Sequence, residues 1–294
     1  MKTAGWIGTG QMGTPMVKNL LKAGFSVNLY NRTPEKAAPL VAADAFQLAS
    51  PAEVVKQSDV TFLMLTNGAA IGEVMEAQAG VLAGVTEGTT IVDMSTIAPM
   101  DSTSFAHRVA QKGGRYIDAP VSGSVGAAES AQLVILVGAL ESELGQLQPF
   151  FDALGKKTIA FGEVGKGSSA KLAINLLLGI TAQGIAESLL FAEKAGVDLT
   201  SMLELIGQSA VNTPLFQFKK DMYARKSFPP AFALELMTKD LGLITDEAQQ
   251  KNITLPLAQK AQETYSKAKR NGKGKEDMAA VYLEIEEQNK NEVH

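Results

Sequence analysis

Thr3-Ala4-Gly5-Trp6-Ile7-Gly8-Thr9-Gly10-Gln11-Met12-Gly13 is a short apolar run that breaks into three spaced glycines. The run reads as a strand. Thr14 to Ala23, with Met16, Leu20 and Leu21 at helical spacing, reads as the helix that follows. Gly24 then suits the left-handed position just past a helix end. In such a strand–turn–helix unit Gly8 permits the tight turn and Gly10 lets backbone N–H groups approach a pyrophosphate. Gly13 allows the helix to pack close against the strand, and Gln11 and Met12 lie between them in the same turn. The helix N-terminus favours the phosphate charge. Three glycines alone are a weak signal. A strand before them and a helix after them supply the context that makes them a dinucleotide site.

The alternation continues outward. Val27-Asn28-Leu29-Tyr30 predicts a second strand, and further buried strands are expected over 60–65, 90–94 and 133–137. Strands separated by helical segments predict a Rossmann-type doubly wound parallel sheet, hence an α/β domain over residues 1–164. Near Gly162-Glu163-Val164-Gly165-Lys166-Gly167 the pattern changes. Residues 168–195 read as one long helix that is apolar nearly all round, which suits burial between domains or subunits. We therefore expect a long interdomain helix over 165–195 and an all-α C-terminal domain over 196–294. Its helices are predicted over 199–210, 234–250, 255–269 and 277–288, the last of them solvated and followed by a tail from Asn289.

Composition narrows the class. A formal net charge of −4 argues against a nucleic-acid partner, which would favour a basic face. There are no cysteines, so disulfides and thiolate metal sites are excluded. Met1 to Gly8 enter a strand directly without signal-peptide architecture, and no apolar run reads as membrane-spanning, since Asn175 and Gly179 interrupt the longest. A cytoplasmic protein with no membrane partner is the expectation.

The end of the second strand bears on which dinucleotide binds. A site for NAD places Asp or Glu there, on the ribose 2′-hydroxyl. This chain has Asn31-Arg32-Thr33, where Arg32 can form charge-assisted bonds to a 2′-phosphate and Asn31 and Thr33 add neutral donors. The expected cofactor is NADP(H). Hydride addition to a carbonyl leaves an alkoxide that needs a proton. His107 lies in a polar helical stretch and His294 is the last residue, so neither suits the task. Lys171 lies little more than a turn inside the long helix, where apolar surroundings disfavour its protonated form and move its pKa toward neutrality. Asn175, four residues on, shares its face and could hold the substrate oxygen or orient the amine.

Four stretches, in order, resemble the β-hydroxyacid dehydrogenases. They are Gly8–Gly13 running into Pro15-Met16-Val17-Lys18-Asn19, then Asp118-Ala119-Pro120-Val121-Ser122-Gly123, then 165–175, then Lys239-Asp240-Leu241. The resemblance covers essentially the whole chain. It implies Lys171 as general acid in reduction and general base in oxidation, assisted by Asn175. It also implies that Ser122 and Gly123 bind a substrate carboxylate and that Thr96 lies beside nicotinamide and substrate. Leu65 and Thr66 would touch the dinucleotide, Lys239 would lie near it, and Phe232 and Asp240 would close the site from the helical domain. The implied substrate is a small carboxylate-bearing semialdehyde or 2-oxo acid, such as glyoxylate or succinic semialdehyde, with 3-hydroxyisobutyrate or tartronate semialdehyde as the alternative, and the implied assembly a homodimer or homotetramer.

Two positions depart from the family pattern. Ser124 stands where a second glycine is frequent, and Ile174-Asn175 where Asn-Asn is frequent. The i, i+4 pair survives, beside a more apolar wall. The related 6-phosphogluconate dehydrogenases carry His in this part of the motif, and no basic cluster here would grip a sugar phosphate. Imine-reducing relatives carry Asp or Tyr where Lys171 stands, and a module that only senses NADP(H) has no need of a proton donor.

Overall fold

A computed structural model describes residues 2–291, which fall into two compact units, the first ending at Lys171 and the second beginning at Leu172. In the first, strands β1 (Thr3–Ile7), β2 (Ser26–Tyr30), β3 (Phe46–Gln47), β4 (Val60–Leu63), β5 (Thr90–Asp93) and β6 (Arg115–Asp118) form one sheet in the order β3-β2-β1-β4-β5-β6. Every pairing is parallel, because a helical crossover returns the chain to the same edge each time. The crossovers contain helices α1 (Gly13–Lys22), α2 (Ala38–Val41), α3 (Pro51–Lys56), α4 (Gly68–Glu76), α5 (Val81–Gly84) and α6 (Pro99–Ala110). The strand order reverses between β1 and β4, the place where open α/β sheets hold their ligands. Trp6, Leu29, Phe62, Val92 and Ile117 fill the core, with Trp6 stacked on Phe62 at 5.6 Å between ring centroids.

Residues 133–137, expected in that parallel sheet, belong to a second one. Strands β7 (Val121–Ser122), β8 (Leu133–Val137) and β9 (Gly155–Ala160) are ordered β7-β8-β9, and β7 runs antiparallel to β8. Pro120, which has no N–H, separates β6 from β7, and Val121 then pairs with Ile135. Strand β8 is buried nearly throughout, so its apolar run looks like that of a parallel strand. Helices α7 (Val125–Glu129) and α8 (Gln148–Leu154) complete this part.

The long helix α9 (Lys166–Lys194) begins in the first unit and forms the core of the second through Leu172, Ala182, Ala186, Leu189 and Leu190. It is long enough to cross a membrane and contains an 18-residue stretch of mean hydropathy 1.4, apolar enough to do so, contrary to the reading from the apolar run alone. Its polar residues Asn175 and Gln183 are buried alongside its apolar face. Helices α10 (Leu199–Gly207), α11 (Pro214–Arg225), α12 (Leu234–Gln250), α13 (Pro256–Arg270) and α14 (Val281–Asn291) follow.

Two features of this unit differ from expectation. Helix α11 has no clear apolar period, because Lys219 is buried while Phe218 is 80% exposed. Its start is nevertheless well marked, since the Thr213 hydroxyl accepts from Phe216 N–H at 3.1 Å. Helix α14, expected to be solvated, buries Val281, Tyr282 and Glu284. Asn271, Gln288 and Lys273 satisfy the Glu284 carboxylate, which makes that burial tolerable. The residues after Asn291, including His294, lie outside the described residues.

Candidate active site

Gly8 directly follows β1 at φ +102°, and a Cβ there would lie 2.3 Å from the Met64 carbonyl oxygen. A Cβ at Gly13 would lie 2.2 Å from the Gly8 carbonyl oxygen, which already accepts from Trp6 Nε1 at 2.9 Å. Gly10 is different: no atom lies within 4 Å of where its Cβ would stand, so the middle of the turn faces open space. No side chain caps α1, and the buried Thr9 hydroxyl has no hydrogen-bond partner. An open backbone approach, an uncapped helix N-terminus and a buried orphan hydroxyl fit a dinucleotide pyrophosphate. Gln11 is exposed and Met12 packs on the core beneath the turn.

Asn31 is committed to this turn. Its Oδ1 accepts from Thr9 N–H at 3.0 Å, and its Nδ2 donates to the Thr33 carbonyl at 2.8 Å. The residue therefore braces the loop through both ends of its amide. Arg32 projects outward with its side chain 86% exposed, 3.7 Å from Glu73 of α4. Thr33 is exposed beside it.

The ends of β4 and β5 are joined by a buried relay. Leu65 N–H donates to Ser95 Oγ at 2.9 Å, Ser95 N–H donates to Asp93 Oδ1 at 2.9 Å, and the Tyr116 hydroxyl donates to Asp93 Oδ2 at 2.6 Å. Burial is the largest influence on Asp93 and raises its pKa; the bonds from Ser95 and Tyr116 oppose the rise. The relay fixes the backbone at Leu65, directly before Thr66, and at Ser95, directly before Thr96, which is half-buried. Ser122 is half-buried in β7, and Gly123 follows at φ +147° with Leu133 and Ala127 within 2.9 Å of a would-be Cβ. Ser124 is exposed and introduces α7.

Lys171 is half-buried on α9, one helical turn before Asn175. The start of that helix is held by Asp118 at the end of β6, whose Oδ1 accepts from Gly165 N–H at 2.8 Å and Oδ2 from Ser168 N–H at 2.7 Å. The hydroxyls of Ser102 and Ser168 share a hydrogen bond of 2.9 Å. In the second unit, Asn175 Nδ2 donates to Asp240 Oδ2 at 2.6 Å, and both residues are 2% exposed. Lys239 Nζ lies 3.0 Å from Asp240 Oδ1. Phe232 is half-buried, and its N–H donates to Asp277 Oδ2 at 3.1 Å. The same oxygen accepts from Lys219 Nζ at 2.6 Å and from Ala231 N–H at 3.0 Å.

The first unit thus gathers the glycine turn, Asn31, Leu65 and Thr96 along the carboxyl edge of its sheet. The second joins Asn175, Asp240 and Lys239. Sequence reasoning passed over Asp93, Asp118, Asp277 and Lys219 as site-supporting residues. For Asp118 the available signal was an acid at a strand end directly before Ala119-Pro120. His107 is exposed and paired with Gln111 on α6, as its polar surroundings suggested. No cluster among the described residues could hold a metal ion.

Known proteins extend this picture. Residues 3–162 match the family described as the NAD binding domain of 6-phosphogluconate dehydrogenase, and residues 165–285 the one described as the NAD-binding of NADP-dependent 3-hydroxyisobutyrate dehydrogenase. Glyoxylate/succinic semialdehyde reductase 1 of Arabidopsis thaliana is 36% identical over 94% of this chain and 96% of its own. 2-(Hydroxymethyl)glutarate dehydrogenase of Eubacterium barkeri is 36% identical over 94% of this chain and 92% of its own. The solved structure of Mycobacterium tuberculosis 3-hydroxyisobutyrate dehydrogenase with L-serine superposes with a TM-score of 0.89 at 30% identity, covering 97% of this chain and 99% of that one. With both halves matched and the glycine turn and long helix in place, the chain belongs to the β-hydroxyacid dehydrogenase family of NAD(P)-dependent oxidoreductases acting on CH–OH groups.

Proposed function

We propose that the protein is an NADP(H)-dependent reductase that converts a small semialdehyde or 2-oxo acid to its hydroxy acid, with glyoxylate and succinic semialdehyde as the best-fitted substrates. The observation that carries the reading is the polar pair on α9, a half-buried Lys171 followed one turn later by an Asn175 anchored to Asp240. A bound dinucleotide supplies the hydride. Lys171 gives its proton to the oxygen that becomes the hydroxyl. Asn175 spends one N–H on Asp240, and its carbonyl oxygen serves as acceptor for the amine at i−4. The Ser122 hydroxyl and the Gly123 N–H take the substrate carboxylate. A side chain at Gly123 would collide with Leu133 and Ala127, which keeps the backbone there accessible.

Arg32 supports the phosphorylated cofactor, since its side chain is 86% exposed at the end of β2. The name of the Arabidopsis relative supports the substrate pair. An NADPH-oxidation screen over glyoxylate, succinic semialdehyde, methylmalonate semialdehyde, tartronate semialdehyde and a cyclic imine tests the assignment. The first two should give the highest kcat/KM, and Lys171→Ala should lower kcat by about 10² to 10⁴-fold with little change in cofactor affinity. Turnover of the imine alone, or a clear preference for NADH, would refute it.

We also infer self-association through α9. Ile174, Leu177 and Phe191 are 43%, 59% and 78% exposed on a helix whose other faces pack inward. They fall on the seam 174, 177, 181, 184, 188, 191, the 3–4 spacing by which helices pair. Sedimentation should report a dimer or tetramer. A monomer at micromolar concentration would remove this part.

A further inference from the structure

Gly165 stands directly before α9 and has no side chain with which to cap it. A helix leaves its first N–H groups unsatisfied, and here Gly165, Gly167 and Ser168 are buried at its start while Lys166 is exposed. The missing cap comes from another strand. Asp118, 1% exposed, places one carboxylate oxygen 2.8 Å from Gly165 N and the other 2.7 Å from Ser168 N. Both oxygens are thus spent on the entry to α9, and the charge sits at the positive end of a 29-residue helix.

The surroundings are shaped to the carboxylate. A Cβ at Gly138 would lie 2.0 Å from Asp118 Oδ1, and one at Gly167 would lie 2.3 Å from the Leu136 carbonyl oxygen. The Gly138 N–H also donates to the Asp118 carbonyl at 2.7 Å. Glycine at 138 lets β8 lie against the carboxyl group, and glycine at 167 lets the helix start lie against β8. Lys171 comes three residues after the clasped Ser168, and Ser122 four residues after Asp118. One side chain therefore sets the helix that carries the proton donor against the strand that leads to the carboxylate-binding turn.

We propose that Asp118 is a positioning residue for Lys171, acting as a cap supplied in trans that fixes the first turn of α9 on the end of β6. The proposal rests on the reading of Lys171 as the general acid. Misplacement of a catalytic group by about 1 Å can cost roughly a hundredfold in rate even when its chemistry is intact. An asparagine at 118 retains one acceptor oxygen and turns an N–H₂ toward a backbone N–H, which opens one side of the clasp.

The test compares four proteins: wild type, D118N, K171A and the double variant. Each is checked for folding by circular dichroism and for NADPH binding by fluorescence titration, then assayed with the substrate from the screen. We expect D118N to lower kcat roughly 10 to 100-fold with NADPH affinity within about threefold of wild type. In the K171A background the same change should cost less than about twofold, because the group it positions is already gone. An equal loss in both backgrounds means Asp118 acts only on general structure and overturns the proposal, as does an unchanged kcat in D118N. Full activity of K171A refutes the reading of Lys171 itself, a result separate from an inert K171A beside an active D118N. If D118N does not fold, Gly138→Ala displaces the same carboxylate without deleting it. It should reproduce the loss in kcat without loss of NADPH binding, and wild-type kcat in folded G138A protein would overturn the proposal.

Discussion

The two units bury their acids beside different partners. In the first, Asp93 accepts from the Tyr116 hydroxyl and Ser95 N–H, and Asp118 accepts from two backbone N–H groups. In the second, Asp277 holds the Lys219 ammonium at 2.6 Å, and Glu284 holds that of Lys273 at 3.3 Å. Topology explains the difference. A parallel sheet ends its strands along one edge where turns and helix starts expose backbone N–H groups, so a short acid can reach them. Packed helices consume most of their backbone donors internally, so Asp277 takes the loop N–H groups of Ala231 and Phe232 and adds the long Lys219 side chain from α11. The first unit therefore satisfies Asp93 and Asp118 with hydroxyl and backbone donors alone, and the second adds a lysine to each of its acids.

The largest expected effect breaks the second arrangement. Asp277→Ala leaves Lys219, 5% exposed, without the carboxylate it pairs with and strands the N–H groups of Ala231, Phe232 and Ala279. Removing one partner of a buried pair costs about 3–5 kcal/mol, measurable by urea denaturation. Lys219→Met should cost less, because Asp277 keeps its three backbone donors and the methionine fills the same space. If the lysine variant is the more damaging one, the ammonium holds this region rather than the carboxylate, and the contrast with Asp118 widens.

The second prediction separates the units by pH. Asp93 has its pKa raised, burial being the largest cause, so the folded protein binds its proton more readily than the unfolded chain. Its contribution to stability is present below the ordinary carboxylate pKa of about 3.9 and is lost as pH rises through the folded value. Glu284 is the opposite case. Burial pushes its pKa up, but the hydrogen bonds from Asn271, Gln288 and Lys273 outweigh burial and hold it low. Its contribution is present above about pH 4.3 and is lost as pH falls through the folded value. In denaturation series across this range, Asp93→Asn should gain on wild type as pH rises, while the deficit of Glu284→Gln should shrink as pH falls. Parallel pH curves for the two variants would erase the distinction.

This contrast also marks what the sequence made legible. The Gly8–Gly13 turn is decided by residues within one strand–turn–helix unit, and helix α12 by apolar residues within a few turns, so both are readable locally. The pairing of β8 is not, since a strand buried nearly throughout shows the same run in either sheet. Helix α11 was hidden because a buried lysine and an exposed phenylalanine invert the usual pattern. Lys171 and Asn175 were visible as a pair at helical spacing. Other long-range pairings were not: Asp118 bonds to groups 47 and 50 residues away, and Lys219 pairs with Asp277 across 58. No local period encodes such separations, and only the assembled fold joins them.

The smallest expected effect comes from a third kind of charge pair, on the surface. Arg32 and Glu73 lie 3.7 Å apart with side chains 86% and 71% exposed. Water and salt screen such a pair, and its contribution to stability is about 0–1 kcal/mol. Glu73→Gln should therefore leave the denaturation midpoint nearly unchanged, in contrast with Asp277→Ala. Its consequence belongs to binding. A 2′-phosphate beside Arg32 competes with the Glu73 carboxylate for the same guanidinium and is repelled by it. Removing that charge should raise kcat/KM for NADPH by up to about fivefold, the equivalent of 1 kcal/mol, and leave NADH unaffected. Arg32→Ala should lower the NADPH value and spare NADH. If Glu73→Gln raises both cofactors equally, the effect is a general loss of negative charge near the cleft, and Arg32 reads no phosphate. If it destabilises the fold as strongly as Asp277→Ala, a surface pair is doing what only the buried pairs are expected to do, and burial ceases to be what separates the two kinds of pair.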